Sequence, residues 1–143
     1  MMMNSWTVNI PFLPNPLLKS SSRPQWWGLL SRAKQEDQIK AESAIAESFV
    51  QEFGPKNVGG RASLGMPWDC ATLSIKVYVA TSHVRDLDNY ISMCKGFIDA
   101  ARGKIVTDDH SQVLQKLDLQ IIKDKALSPL TQMIFTRCKH AAL

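Results

Sequence analysis

The chain has 143 residues, 45% of them hydrophobic and 21% charged, with a formal net charge of +4 and a pI of about 9.1. That length suits one domain with one core, and the mildly basic balance admits nucleic acid as a partner without requiring it. No segment approaches the roughly 18 consecutive apolar residues of a membrane span, and Cys70, Cys94 and Cys138 lack the CxxC spacing of a cysteine zinc site.

Residues 6–12 alternate, with Trp6, Val8, Ile10 and Phe12 on one face, as in a half-buried strand. Pro11 cannot donate to a ladder, so the strand is expected to lie at a sheet edge or to end there. Residues 13–31 hold three prolines and a serine run and read as a basic, aromatic loop or arm. There Lys19, Arg23, Trp26 and Trp27, with Arg32 just beyond, interleave cations and aromatics, a mixture that can follow phosphates and stack on bases. Burial of the tryptophans in the core or at a dimer contact is the plainer alternative.

Residues 32–53 read as a helix with Ser31 as N-cap and Gly54-Pro55 as stop. Its expected apolar stripe is Ile39, Ala46, Phe49, Val50 and Phe53, leaving Glu36, Asp37, Lys40, Glu47 and Glu52 in solvent. Residues 55–70 look turn-rich and irregular. Residues 72–80 form the cleanest strand, with Leu73, Ile75, Val77 and Val79 on one side. A single helix is expected to start at Asp86 or Asp88, bury Leu87, Ile91, Cys94, Ile98 and Ala101, and end at Gly103. Asp88, Ser92, Lys95 and Asp99 should share its polar ridge. Two further strands are expected over 112–123 and 130–139, with a turn at Ser128-Pro129. The order predicts one α+β domain over 1–143: a mainly antiparallel or mixed sheet of about four strands with two principal helices packed on it. The opening residues lack the basic start and apolar run of a signal peptide. The cysteines are expected as reduced, mostly buried thiols in a cytosol.

The segment 85–113 carries the chemistry. Asp86 and Asp88 lie at a strand-to-helix junction, and Asp108 and Asp109 follow on a separate turn. Carboxylates gathered from two such places repel unless a cation sits between them. Magnesium, which takes oxygen ligands and keeps several waters, suits Asp86, Asp88 and Asp109. Such an ion activates water and offsets charge developing on a phosphate, so phosphodiester hydrolysis is the expected chemistry. Lys95 would contact non-bridging phosphate oxygens or assist the leaving group, and Arg85 a neighbouring phosphate. Asn89 would orient a carboxylate ligand. The plainer alternative makes DxD a helix cap, DD a turn, and His110 a surface histidine.

The arrangement RDLDN at 85–89, CKGFIDA at 94–100 and DDHSQV at 108–113 resembles the RusA-type Holliday junction resolvases. The likeness covers about residues 70–139, including the strand before and the two after. The resemblance implies a homodimeric, magnesium-dependent endodeoxyribonuclease, with manganese able to substitute, that nicks four-way DNA junctions symmetrically in recombination and repair. It implies metal-binding aspartates at Asp86, Asp88 and Asp109, a catalytic Lys95, a DNA contact at Arg85 and a lesser role for Asp108. It also implies a cytoplasmic, nucleoid-associated protein, of host, phage or prophage origin. The chain departs from the family pattern at two points. The family lysine follows the second aspartate by four residues, where this chain has Ser92; Lys95 follows Asp88 by seven. One residue is also added at His110-Ser111. A branched-DNA-binding protein of the same fold with impaired catalysis is the alternative these departures suggest.

Overall fold

The computed structural model describes residues 4–18, 27–55, 58–81, 87–110 and 112–138, without the side chains of 17, 27–29, 58–60 and 87–89. The elements in chain order are β1 (Ser5–Ile10), a short 3-10 turn (Pro16–Leu18), α1 (Trp27–Phe53), α2 (Val58–Ser63), β2 (Ala71–Val79), α3 (Leu87–Met93), α4 (Lys95–Ala101), β3 (Leu114–Lys123) and β4 (Leu130–Arg137). They form an α+β fold around one four-stranded mixed sheet, ordered β1-β4-β2-β3. β4 pairs antiparallel with both β1 and β2, and β2 pairs parallel with β3. A parallel neighbour requires a crossover, which α3 and α4 supply. β1 is an edge strand, and it ends at Ile10, just before Pro11.

Alternation in the strands decides which face the helices cover. Leu73, Ile75, Val77 and Val79 of β2 are buried with Met133 and Phe135 of β4 and Val8 and Ile10 of β1. Thr72, Ser74, Lys76 and Tyr78 on the other face are only half-buried. Trp6 locks β1 to α1: its ring stacks on Phe49 at 4.8 Å and Phe53 at 5.9 Å, and its Nε1 donates to Ser48 Oγ at 3.0 Å. Phe12, expected in the same buried row, lies beyond the strand and is 41% exposed.

α1 begins at Trp27, so the expected loop over 13–31 is shorter than its composition suggested. Lys19, Arg23 and Trp26 lie outside the described residues. The stripe that α1 buries is Ala33, Asp37, Ala41, Ile45 and Phe49, repeating every four residues, while Ile39 is 62% exposed and Ala46 faces solvent. The core takes the phase that includes Asp37.

The stretch 55–70 holds α2 within what looked irregular. The single helix expected after β2 is two. α3 ends at Met93, Cys94 turns, and Lys95 opens α4, which closes at Ala101 with Gly103 at a φ of 79° just beyond. Of the expected stripe, Cys94, Ile98 and Ala101 are buried, joined by Tyr90, Met93 and Phe97. Gly96 explains how closely α4 meets α1: a Cβ there would lie 2.8 Å from the Lys34 carbonyl oxygen and 3.1 Å from Asp37 Cβ.

The cysteines differ from expectation. Cys70 and Cys138 form a disulfide, with Cα atoms 5.3 Å apart, and only Cys94 is a free thiol. The pairing joins the start of β2 to the residue after β4, which their antiparallel register places side by side despite 68 residues of separation. Sequence spacing carries no trace of that register. Burial pushes the Cys94 thiol up to about 12, aided by the nearby Asp37 carboxylate, so it is unreactive at neutral pH. Among the described residues no helix is long and apolar enough to cross a membrane.

Candidate active site

Two tethers shape the turn that carries Asp108 and Asp109. On one side Trp68 donates its N–H to the Ile105 carbonyl at 2.8 Å and accepts from Thr107 at 3.0 Å. The Trp68 indole donates to the Leu64 carbonyl at 2.9 Å, fixing the ring in the core. On the other side Val113 and Leu114 donate to the His110 carbonyl, and Ala71 donates to Val113. Between these anchors Asp109 donates its own N–H to Asp108 Oδ1 at 2.7 Å, a short turn closed by a carboxylate.

α4 brings Lys95 to this turn. Lys95 Nζ donates to Asp109 Oδ2 at 2.6 Å and approaches Asp99 Oδ1 at 3.5 Å, one helical turn along. Asp99 is buried, and its Oδ2 meets Lys34 Nζ of α1 at 2.7 Å. Arg102 Nη1 lies 3.9 Å from Asp109 Oδ1 and 4.0 Å from Asp108 Oδ1. The outcome is a chain of charges, Lys34–Asp99–Lys95–Asp109–Arg102, running from α1 across α4 to the turn. Its electrostatics follow from the short contact. The Lys95 ammonium holds the Asp109 carboxyl well below the usual carboxylate range, and the Asp109 carboxylate raises Lys95 above its ordinary 10.5. Both groups are therefore fully charged at neutral pH.

Of the residues expected to act, Lys95 and Asp109 are brought together. Lys95 is the first residue of α4, after a one-residue interruption at Cys94 that stays in the αR region. Asp108 adjoins them, half-exposed, and His110 is a surface histidine with Nε2 3.8 Å from Asp108 Oδ2. Asp88 and Asn89 belong to the first turn of α3, with side chains outside the described residues; Arg85 and Asp86 lie outside them altogether. Arg32 is exposed on α1, but residues two apart on a helix point about 200° apart. It thus faces away from the side on which Lys34 reaches Asp99. Lys34 and Arg102 were not anticipated, and Asp99, expected on the polar ridge with Lys95, is instead buried between Lys95 and Lys34. Asp99 had a signal, the i,i+4 spacing from Lys95; Lys34 had none, since only the α1–α4 crossing makes it a partner.

The donors fit a hard divalent cation in kind, being carboxylate oxygens. Asp109 Oδ2 is held by Lys95 at 2.6 Å and Oδ1 lies 3.9 Å from Arg102 Nη1, with the side chain 12% exposed, so an ion there would share this carboxylate with two cations. Among the described residues, no group of three or more His, Cys, Asp or Glu side chains that could hold a metal is present; the other expected ligands, Asp86 and Asp88, contribute no described side chain. In comparisons with known proteins, the chain matches no family model and no curated sequence.

Proposed function

We propose that the protein is a magnesium-dependent, structure-selective DNA endonuclease acting on four-way junctions as a homodimer. The observation that supports this most is the 2.6 Å contact between Lys95 and Asp109. These residues come from motifs 14 positions apart, and they meet although Lys95 is displaced from the family's usual spacing. Asp109, with Asp86 and Asp88, would hold the ion. A bound Mg²⁺ would supply an activated water and offset charge on the phosphate.

The chain's own groups then have separate tasks. Lys95, held protonated by Asp109, is a fixed positive charge for a non-bridging phosphate oxygen. Its raised pKa makes it a poor proton donor, so the leaving-group role is the weaker of the two expected for it. Asp99 and Lys34 steady it from beneath: the buried Asp99 carboxylate draws Lys95 toward α4, and Lys34 offsets the charge that Asp99 would otherwise bury alone. Arg102 offers a second cation beside the same turn, suited to a neighbouring backbone phosphate. A two-fold dimer would present two such sites to two strands of a roughly two-fold junction.

The test is nicking of a synthetic four-way junction with Mg²⁺, comparing wild type with Asp88→Asn. Symmetric nicks lost in the variant support the reading; identical behaviour of the two proteins defeats it. A salt-sensitive gel shift with intact strands in both Mg²⁺ and Mn²⁺ would instead favour a branched-DNA-binding protein without catalysis.

A further inference from the structure

The Asp37 side chain has no part in the chemistry above, yet its position is unusual. It occupies the middle of the core-facing stripe of α1, where an apolar residue would ordinarily sit, and it is fully buried. Its Oδ2 accepts the Asn15 N–H at 2.8 Å, while its Oδ1 has no hydrogen-bond partner among the described residues. An acceptor taken out of water and given no donor is costly. Burial accordingly pushes the Asp37 carboxyl above its ordinary 3.8, an effect that the Asn15 N–H only partly opposes.

This carboxylate borders a cavity of about 520 Å³ bounded by α1, α3, the residues after β1 and the end of β2. The volume falls within the range of small-molecule sites, and such sites combine apolar walls with few convergent polar groups. Leu13, Pro14, Val79 and Met93 supply the apolar wall, and Tyr90 lies beside them. The cavity and the candidate active site share a partition. Asp37 packs under Gly96, the residue after Lys95, and Lys34 lies one turn before Asp37 on α1. Oδ1 exposes almost no surface, so an occupant reaches it only once the carboxylate turns; a flat group carrying an N–H donor would then suit both the apolar wall and that acceptor, and a DNA strand at Lys95 would carry such groups.

We propose that this cavity receives a nucleobase extruded from the DNA beside the cut, and that Asp37 selects bases bearing an exocyclic amine. The inference rests on the DNA-cleavage reading. Extrusion pays for unstacking least at a branch point, where stacking is already interrupted. A small rotation of the Asp37 carboxylate toward the cavity it borders would present Oδ1 to the amine. Asp37 is thus a specificity residue, remote from the scissile phosphate.

The test uses the full-length protein and four-way junctions carrying 2-aminopurine at one position at a time around the branch point. Binding is followed by anisotropy and extrusion by 2-aminopurine fluorescence. Wild type should raise the fluorescence severalfold at one position and, there, bind junctions with cytosine or adenine about tenfold more tightly than with thymine. Asp37→Asn is nearly isosteric and puts an amide donor where Oδ1 stands, so it should reverse that preference toward thymine, whose O4 accepts. A mere structural role for Asp37 would leave the preference unchanged. Junctions bound and nicked with no fluorescence rise at any position, or an unaltered preference in a folded Asp37→Asn, overturn the proposal while leaving the nuclease intact. Absence of junction binding overturns both. Should Asp37→Asn not fold, the wild-type fluorescence and base-identity arms decide alone.

Discussion

Gly96→Ala is expected to destabilise the protein although it replaces glycine by the best helix former. In an isolated helix the change would stabilise by about 1 kcal/mol. Here the new methyl would lie 2.8 Å from the Lys34 carbonyl oxygen, a backbone atom, and 3.1 Å from Asp37 Cβ. Neither can swing aside as the end of a flexible side chain could, so α1 and α4 must separate by several tenths of an ångström. Overpacking of this kind costs about 1–3 kcal/mol, and relief of the clash by separation also draws Lys34 from Asp99. Offsetting the propensity gain against the larger part of that range leaves a net loss of about 1–2 kcal/mol. For a chain of this size that corresponds to a fall in Tm of about 3–8 °C. Thermal unfolding followed by circular dichroism, under non-reducing conditions, measures it directly. A Tm equal to or above wild type would show that the helices do not cross this closely, and would remove the argument for Gly96 in the sequence KGFIDA.

Lys95→Met should lower junction nicking by about 100-fold or more if the ammonium stabilises the phosphate, while its effect on Tm stays small. Lys95 is 54% exposed, so a Lys95→Met/Asp109→Asn double-mutant cycle on stability should give a coupling of only about 0.2–1 kcal/mol; a coupling of several kcal/mol would contradict the half-exposed geometry. Alkylation in denaturant without reductant should modify one cysteine of three, and reduction should cost up to about 4 kcal/mol, the chain-entropy expectation for a closure of 68 residues. Three modified thiols would refute the pairing. Because Asp37 has a raised folded-state pKa, its favourable contribution relative to an ordinary aspartate is present below the ordinary value of 3.8 and is lost as pH rises through the raised value. Urea melts of wild type and Asp37→Asn from pH 3 to pH 7 should therefore show wild type gaining on the variant as pH falls; a flat or opposite trend counts against burial of that carboxylate.

Local pattern made much of this protein legible. All four strands lie within two residues or so of their expected bounds, three of them read from alternation, because a strand with one buried face must place apolar residues at every second position. Pro11 marked the end of the first strand, and Gly103 the stop after the second helical segment, through constraints that act on one residue at a time. The DD turn and Lys95 were likewise readable as candidates from residue type and order. What chain order could not carry was anything dependent on which elements meet. Asp37 looked like a solvated residue until the sheet and α4 claimed its side of α1. Lys34 became Asp99's partner only where Gly96 lets two helices close together. The Cys70–Cys138 pair follows from the register of β2 on β4, and Lys95 meets Asp109 across 14 residues only where α4 lies beside the turn. Periodicity is a property of one segment, whereas burial, ion pairing and cross-linking are properties of contacts between segments, and those exist only once the chain has folded.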